Sequence, residues 1–224
     1  MNIQTLLIDA VALIIGIVIH ESAHALAAYA LGDKTARSRG RVSLNPLAHI
    51  DPFGTVLLPL LMLAAGGPVF AFAKPVPIYL NNLKHPKRDE LLVALAGPLS
   101  NVLLALAAAL IGHFLIPILV MQVPMGFIYY LFSFFMTFIV VNLSLAFFNL
   151  IPLPPLDGSS ILVPFLKGKA LQEYYRIQQY AMPILLVILY LLPTVLNIDI
   201  IGMYFDVTVY PLAQGLTSFM VSTI

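Results

Sequence analysis

The chain has 224 residues, 61% of them hydrophobic and 9% charged, with a formal net charge of +1. Soluble domains carry about 25% charged residues, so a water-soluble protein of this length is excluded. Several apolar runs reach the roughly 20 residues that span hydrocarbon, which predicts an all-α polytopic membrane protein. Cysteine is absent, so there are no disulfides, and any metal must take nitrogen and oxygen donors.

The first predicted helix runs from about Thr5 to Leu31, roughly 40 Å at 1.5 Å per residue. No basic segment precedes it, since the first lysine is Lys34, so no cleavable signal peptide is expected. Gly32 to Pro52 is polar, and its stretch Gly40 to Gly54 has two prolines and no helical period, so it reads as loop or short extended chain. A second apolar run, Thr55 to Ala73, is broken by Pro59 and by Gly66-Gly67-Pro68. After a polar segment from Lys74 to Glu90 come two long helices, about Leu91 to Val120 and Phe127 to Leu150. The second ends in the Pro-rich stretch Asn149-Leu-Ile-Pro-Leu-Pro-Pro-Leu-Asp-Gly158. An apolar run over about Ile177 to Leu196 follows, and Val207 to Ile224 is a sixth span or an interfacial helix. About five to six transmembrane helices are expected, with a re-entrant hairpin and a Pro-rich membrane turn.

Charge placement favours that hairpin. If Thr55 to Ala73 crossed fully, Lys74, Lys84, Lys87 and Arg88 would lie on the outer side, against the positive-inside rule. If it dips in and returns, all eleven Lys and Arg residues share the cytoplasmic side.

His20-Glu21-Ser22-Ala23-His24 reads H-E-x-x-H inside the first apolar run. Histidines at this spacing share one helix face and can grip one metal ion, while the glutamate acts on its water. Ionisable groups at membrane depth are costly and mark function. Hydrolytic zinc sites usually take three protein ligands, and Asp157 is the outstanding candidate for the third, an acid in an otherwise apolar Pro-rich turn. The same-side topology returns Asp157 to the two histidines.

His20 to His24, taken with Asn149 to Gly158, resembles the two signatures of the site-2 protease family of intramembrane zinc metalloproteases. Ala96-Gly97-Pro98-Leu99-Ser100-Asn101 resembles a third family segment, and the likeness extends over most of residues 5 to 165. It is closest to the compact prokaryotic type without a PDZ domain. The resemblance implies one Zn2+ per chain held by His20, His24 and Asp157, with Glu21 as catalytic acid/base. It also favours Asn101 and Asn149 near the site as oxyanion donors. The substrates implied are transmembrane segments of other proteins, cleaved in regulated intramembrane proteolysis. The setting implied is a prokaryotic cell membrane, with the active site toward the cytoplasm. Residues 1–224 then form one integral-membrane metalloprotease domain, with a catalytic core over about 5–165 and C-terminal helices over about 177–224.

A helical substrate must unwind locally, and its extended strand could pair with Gly40 to Gly54 or with the hairpin. His49 is expected behind the ligands or as a cap, His113 in a helix interface, His85 in a solvated loop, and Asn142 between helices. The basic loops fit topology and anionic headgroups, so the partners are lipid and substrate and no nucleic acid is expected. Oligomeric state is not legible. A metal transporter or a non-catalytic scaffold would use the same ligands, but transporters favour internal repeats, which are absent, and a scaffold has no need of Glu21.

Overall fold

A computed structural model describes residues 3–57, 61 and 73–222, and every regular element among them is helical. The long helices are α1 (Ile3–Ala30), α2 (Pro86–Val120), α3 (Met125–Asn149), α4 (Gly168–Gln178), α5 (Ala181–Leu196) and α6 (Ile200–Val221). The all-α membrane architecture is as expected from composition.

Local chemistry sets the helix ends. α1 stops where Gly32 turns the chain at φ +117°. The N–H groups of Gly32 and Asp33 return to the carbonyls of Tyr29 and Ala28 at 3.2 and 2.9 Å. That closure requires a residue tolerant of positive φ. α2 begins at Pro86, ahead of the apolar run at Leu91. Pro86 needs no N–H partner there, and the Asp89 carboxylate accepts the His85 N–H at 2.9 Å. α6 starts before the expected Val207 because Asp199 caps it, accepting the Gly202 N–H at 2.8 Å.

α1, α2, α3 and α6 pack together. On α2, Gly97, Asn101, Ala105, Ala108, Gly112 and Ile116 are buried along one face, while Leu99, Leu103, Leu106, Leu110 and Phe114 are exposed on the other. Small residues inside and large apolar ones outside suit a helix surrounded by lipid, where close backbone approach and hydrogen bonds hold helices together. Gly112 shows how close: a Cβ there would meet Met220 Sδ of α6 at 2.6 Å. His113, on the neighbouring face, bonds the Phe219 carbonyl at 2.9 Å and stacks on its ring.

α1, α2 and α3 are each long and apolar enough to cross a membrane, and α4 with α5, bent by 68°, makes a fourth span if taken together. α6 has 22 residues and packs against α2 and α3. The hairpin expected within Thr55 to Ala73 lies outside the described residues. The described residues flanking it are joined: the Lys74 N–H donates to the His49 carbonyl at 2.9 Å.

Candidate metal centre

α1 and α2 run antiparallel past one another, so that Gly16 of α1 meets Asn101, and His24 meets Val93. His20 and His24 are buried on the α1 face turned to α2. The Pro-rich turn then folds back over them. Its Pro152, Pro154 and Pro155 prevent a regular helix, and Gly158 lets the turn lie directly on the carbonyls just past the end of α3. A Cβ at Gly158 would collide with the carbonyl oxygens of Leu150 and Ile151. This contact brings Asp157 over the histidines.

The result is a triangle of ligand atoms. His20 Nε2 and His24 Nε2 are 3.0 Å apart, and Asp157 Oδ2 lies 3.1 Å from the first and 3.2 Å from the second. The protons of the two rings are assigned from their other partners, because oxygen acceptors there leave only one choice. His24 Nδ1 donates to the Val93 carbonyl at 2.7 Å. His20 Nδ1 donates to Asn101 Oδ1 at 2.6 Å. The Asn101 amide is itself fixed, since Nδ2 donates to the Gly16 carbonyl at 3.1 Å and to Asn142 Oδ1 at 2.8 Å. Asn142 in turn donates to the Phe138 carbonyl at 2.9 Å.

With both Nδ1 atoms protonated, the two Nε2 atoms and the carboxylate present three lone pairs to one point. Such a set is repulsive unless a cation lies between them. Tetrahedral zinc with metal–ligand bonds of 2.0–2.1 Å separates its ligands by about 3.3 Å, near the observed edges. The donor set therefore fits one zinc ion, and second partners hold both imidazoles in the tautomer it needs.

Gly97 is the floor of this site. A Cβ added there would fall on the Nε2 atoms of both histidines, so only a glycine leaves the ligand point open. Sequence reading placed Gly97 in a family segment without giving it a task. Asn101 departs from the oxyanion role expected of it: both its N–H groups are committed, and it orients His20 instead. Asn149 gives one N–H to the Leu145 carbonyl at 2.9 Å and lines the cavity that opens onto the site.

That cavity, of about 610 Å³, is lined by Glu21 together with the three ligands. Its other walls include Ala73, Pro75, Val76 and Ile78 from the chain leading into α2. None of its described lining residues comes from Gly40 to Gly54, the stretch expected to offer a substrate edge. That stretch packs behind α1 instead. Ser22 Oγ donates to the Ser43 carbonyl at 2.5 Å, and His49 Nε2 donates to the same carbonyl at 2.7 Å. His49 is buried there, away from the ligand triangle.

Two charges missed in the sequence hold this scaffold. Arg41, read as a topological charge, is buried at 4% exposure, and its guanidinium donates to the carbonyls of Ala48 and Lys74. Asp33 is fully buried and accepts from Thr35 Oγ1 at 2.6 Å, the Tyr79 N–H at 2.7 Å and Asn82 Nδ2 at 2.9 Å. Together they fasten the 73–82 chain beside the cavity. Local patterning does not announce either, because the partners are remote in sequence.

The chain matches the model of peptidase family M50 over residues 8–127 and 116–192. It is 39% identical over 181 residues to "Putative zinc metalloprotease YwhC" of Bacillus subtilis, covering 80% of this chain and 78% of that protein. It is 29% identical over 208 residues to "Putative zinc metalloprotease Rip2" of Mycolicibacterium smegmatis, covering 91% of this chain and 73% of that protein. No solved structure gives a significant match. An apolar helical frame, a His-His-Asp triangle on two buried histidines and these relatives agree: the chain belongs to peptidase family M50, the site-2 protease family of membrane metalloproteases.

Proposed function

We propose that this protein is an intramembrane zinc endopeptidase that cleaves transmembrane segments of other membrane proteins, as in regulated intramembrane proteolysis. His20, His24 and Asp157 hold one zinc per chain, and Glu21 is the catalytic acid/base. The carrying observation is the triangle of three convergent ligand atoms with a glutamate on the same cavity. Bound zinc supplies Lewis acidity and brings the pKa of a water down to about 7.

Glu21 then takes the proton of the attacking water and returns it to the leaving amine nitrogen, so no proton is lost over the cycle. Asn149, on the cavity wall, is better suited than Asn101 to donate to the oxyanion. Asn101 keeps His20 in the tautomer that leaves Nε2 free. The site faces the cytoplasm on this reading. Two observations support that side: the distribution of Lys and Arg, and the His49–Lys74 hydrogen bond, which sets the loop after α1 beside the chain leading into α2.

The test compares wild type with Glu21→Gln in liposomes, offering a panel of single-span substrates. Both proteins should bind stoichiometric zinc, and only wild type should cleave. Zinc flux across the bilayer with no cleavage by either protein would overturn the protease reading in favour of transport.

A further inference from the structure

Glu90 lines the same cavity as the ligand triangle, and nothing in the hydrolytic chemistry uses it. It continues the α2 face that builds the site: Asn101 binds His20, Gly97 floors the ligand point, Val93 binds His24, and Glu90 comes next. Among the described residues its carboxylate receives one long hydrogen bond, from Ser160 Oγ at 3.3 Å. Among the described residues no lysine or arginine forms an ion pair with it, although Arg88 pairs with Asp89 next to it. A half-buried carboxylate turned to a cavity without a cation is costly unless a cation arrives.

The polar groups on the cavity wall gather near Glu90. Ile17, one turn before His20 on α1, and Leu145, which packs against Gly16, form an apolar part of the wall. Ser160, bonded to Glu90, and Tyr175 and Gln178 also line the cavity. An occupant matched to these walls has an apolar stretch on one side of the catalytic residues and a cationic group on the other.

We propose that Glu90 is a specificity-determining residue that receives a lysine or arginine side chain of the substrate. The substrate class is an apolar transmembrane segment that ends in a basic residue a few positions from the scissile bond. Glu90 precedes Gly97 by seven positions, about 10 Å along a helix at 1.5 Å per residue. An extended peptide advances about 3.3 Å per residue, so the basic residue lies about three residues from the bond that is cut. This inference rests on the protease reading above.

The experiment uses the full chain in liposomes with zinc. The bond that wild type cuts in a single-span substrate is mapped by mass spectrometry. Lys, Gln or Glu is then placed two to four residues to the hydrophilic side of it. Wild type should show kcat/KM about tenfold higher for the Lys substrate than for the Glu substrate, the usual scale of a charge-assisted contact. The ratio should fall to about one in Glu90→Gln, return in Glu90→Asp and invert in Glu90→Lys. Damage to folding would scale all substrates alike and leave the ratio untouched, so an unchanged ratio in Glu90→Gln overturns the assignment. Wild type that cleaves every substrate equally overturns it too, with the protease reading intact. Failure of wild type to cleave any substrate, matching Glu21→Gln, removes both.

Discussion

Asn101 Oδ1 accepts the His20 Nδ1 proton at 2.6 Å, and this one contact decides which nitrogen of His20 faces the ligand point. Replacing Asn101 by leucine leaves the ring without an acceptor and free to take the other tautomer. Removing an outer partner of a metal histidine costs about 10–100-fold in affinity. Zinc competition with a chelating dye should show that loss in Asn101→Leu, and wild-type affinity there would end the orienting role.

Gly97→Ala tests the floor of the site. The new methyl would sit on both Nε2 atoms, so the purified variant should carry zinc at background level by elemental analysis. Gly215→Ala is the control, because a Cβ there meets nothing within 4 Å. Full zinc content in Gly97→Ala would show that the histidines converge elsewhere.

Arg41→Met removes the donors to the Ala48 and Lys74 carbonyls and leaves both to find other partners. Charge-assisted hydrogen bonds are worth about 1.5–3 kcal/mol each, so thermal unfolding in detergent should shift down by several degrees. A melting point equal to wild type would mean that the two loops hold without the clamp.

Asp33 gives a pH signature. Burial alone would raise its carboxyl, but the donors from Thr35, Tyr79 and Asn82 outweigh it and hold the pKa at about 2, below the ordinary 3.8. A depressed folded-state pKa means the unfolded chain binds the proton more readily. The stabilisation is therefore complete above about pH 4 and is lost as pH falls toward 2. Between those values the melting temperature of wild type should drop more steeply than that of Asp33→Asn. Parallel profiles would deny Asp33 this role.

Much of the site was legible because its ligands announce themselves chemically. Two histidines one helical turn apart, and an acid in a proline-rich break, are costly in lipid unless they meet. Helix existence was legible from apolar length, whereas starts were not, because Pro86 with Asp89 and the Asp199 cap act before hydrophobicity begins. Glu90 was hidden in a polar segment that read as loop. The tasks of Gly97, Asn101 and Arg41 were hidden for another reason: each acts through a backbone or ring brought close only by tertiary packing. A charge count reads Arg41 as a topological marker, and only its two carbonyl partners reveal an internal clamp.

The His49–Lys74 hydrogen bond and the Arg41 clamp beside it also couple the back of the site to its front. They tie the loop behind α1 to the chain whose Ala73, Pro75 and Val76 wall the cavity. A change at position 41 or 49 would therefore reshape the cavity from behind, while His20, His24 and Asp157 keep their places.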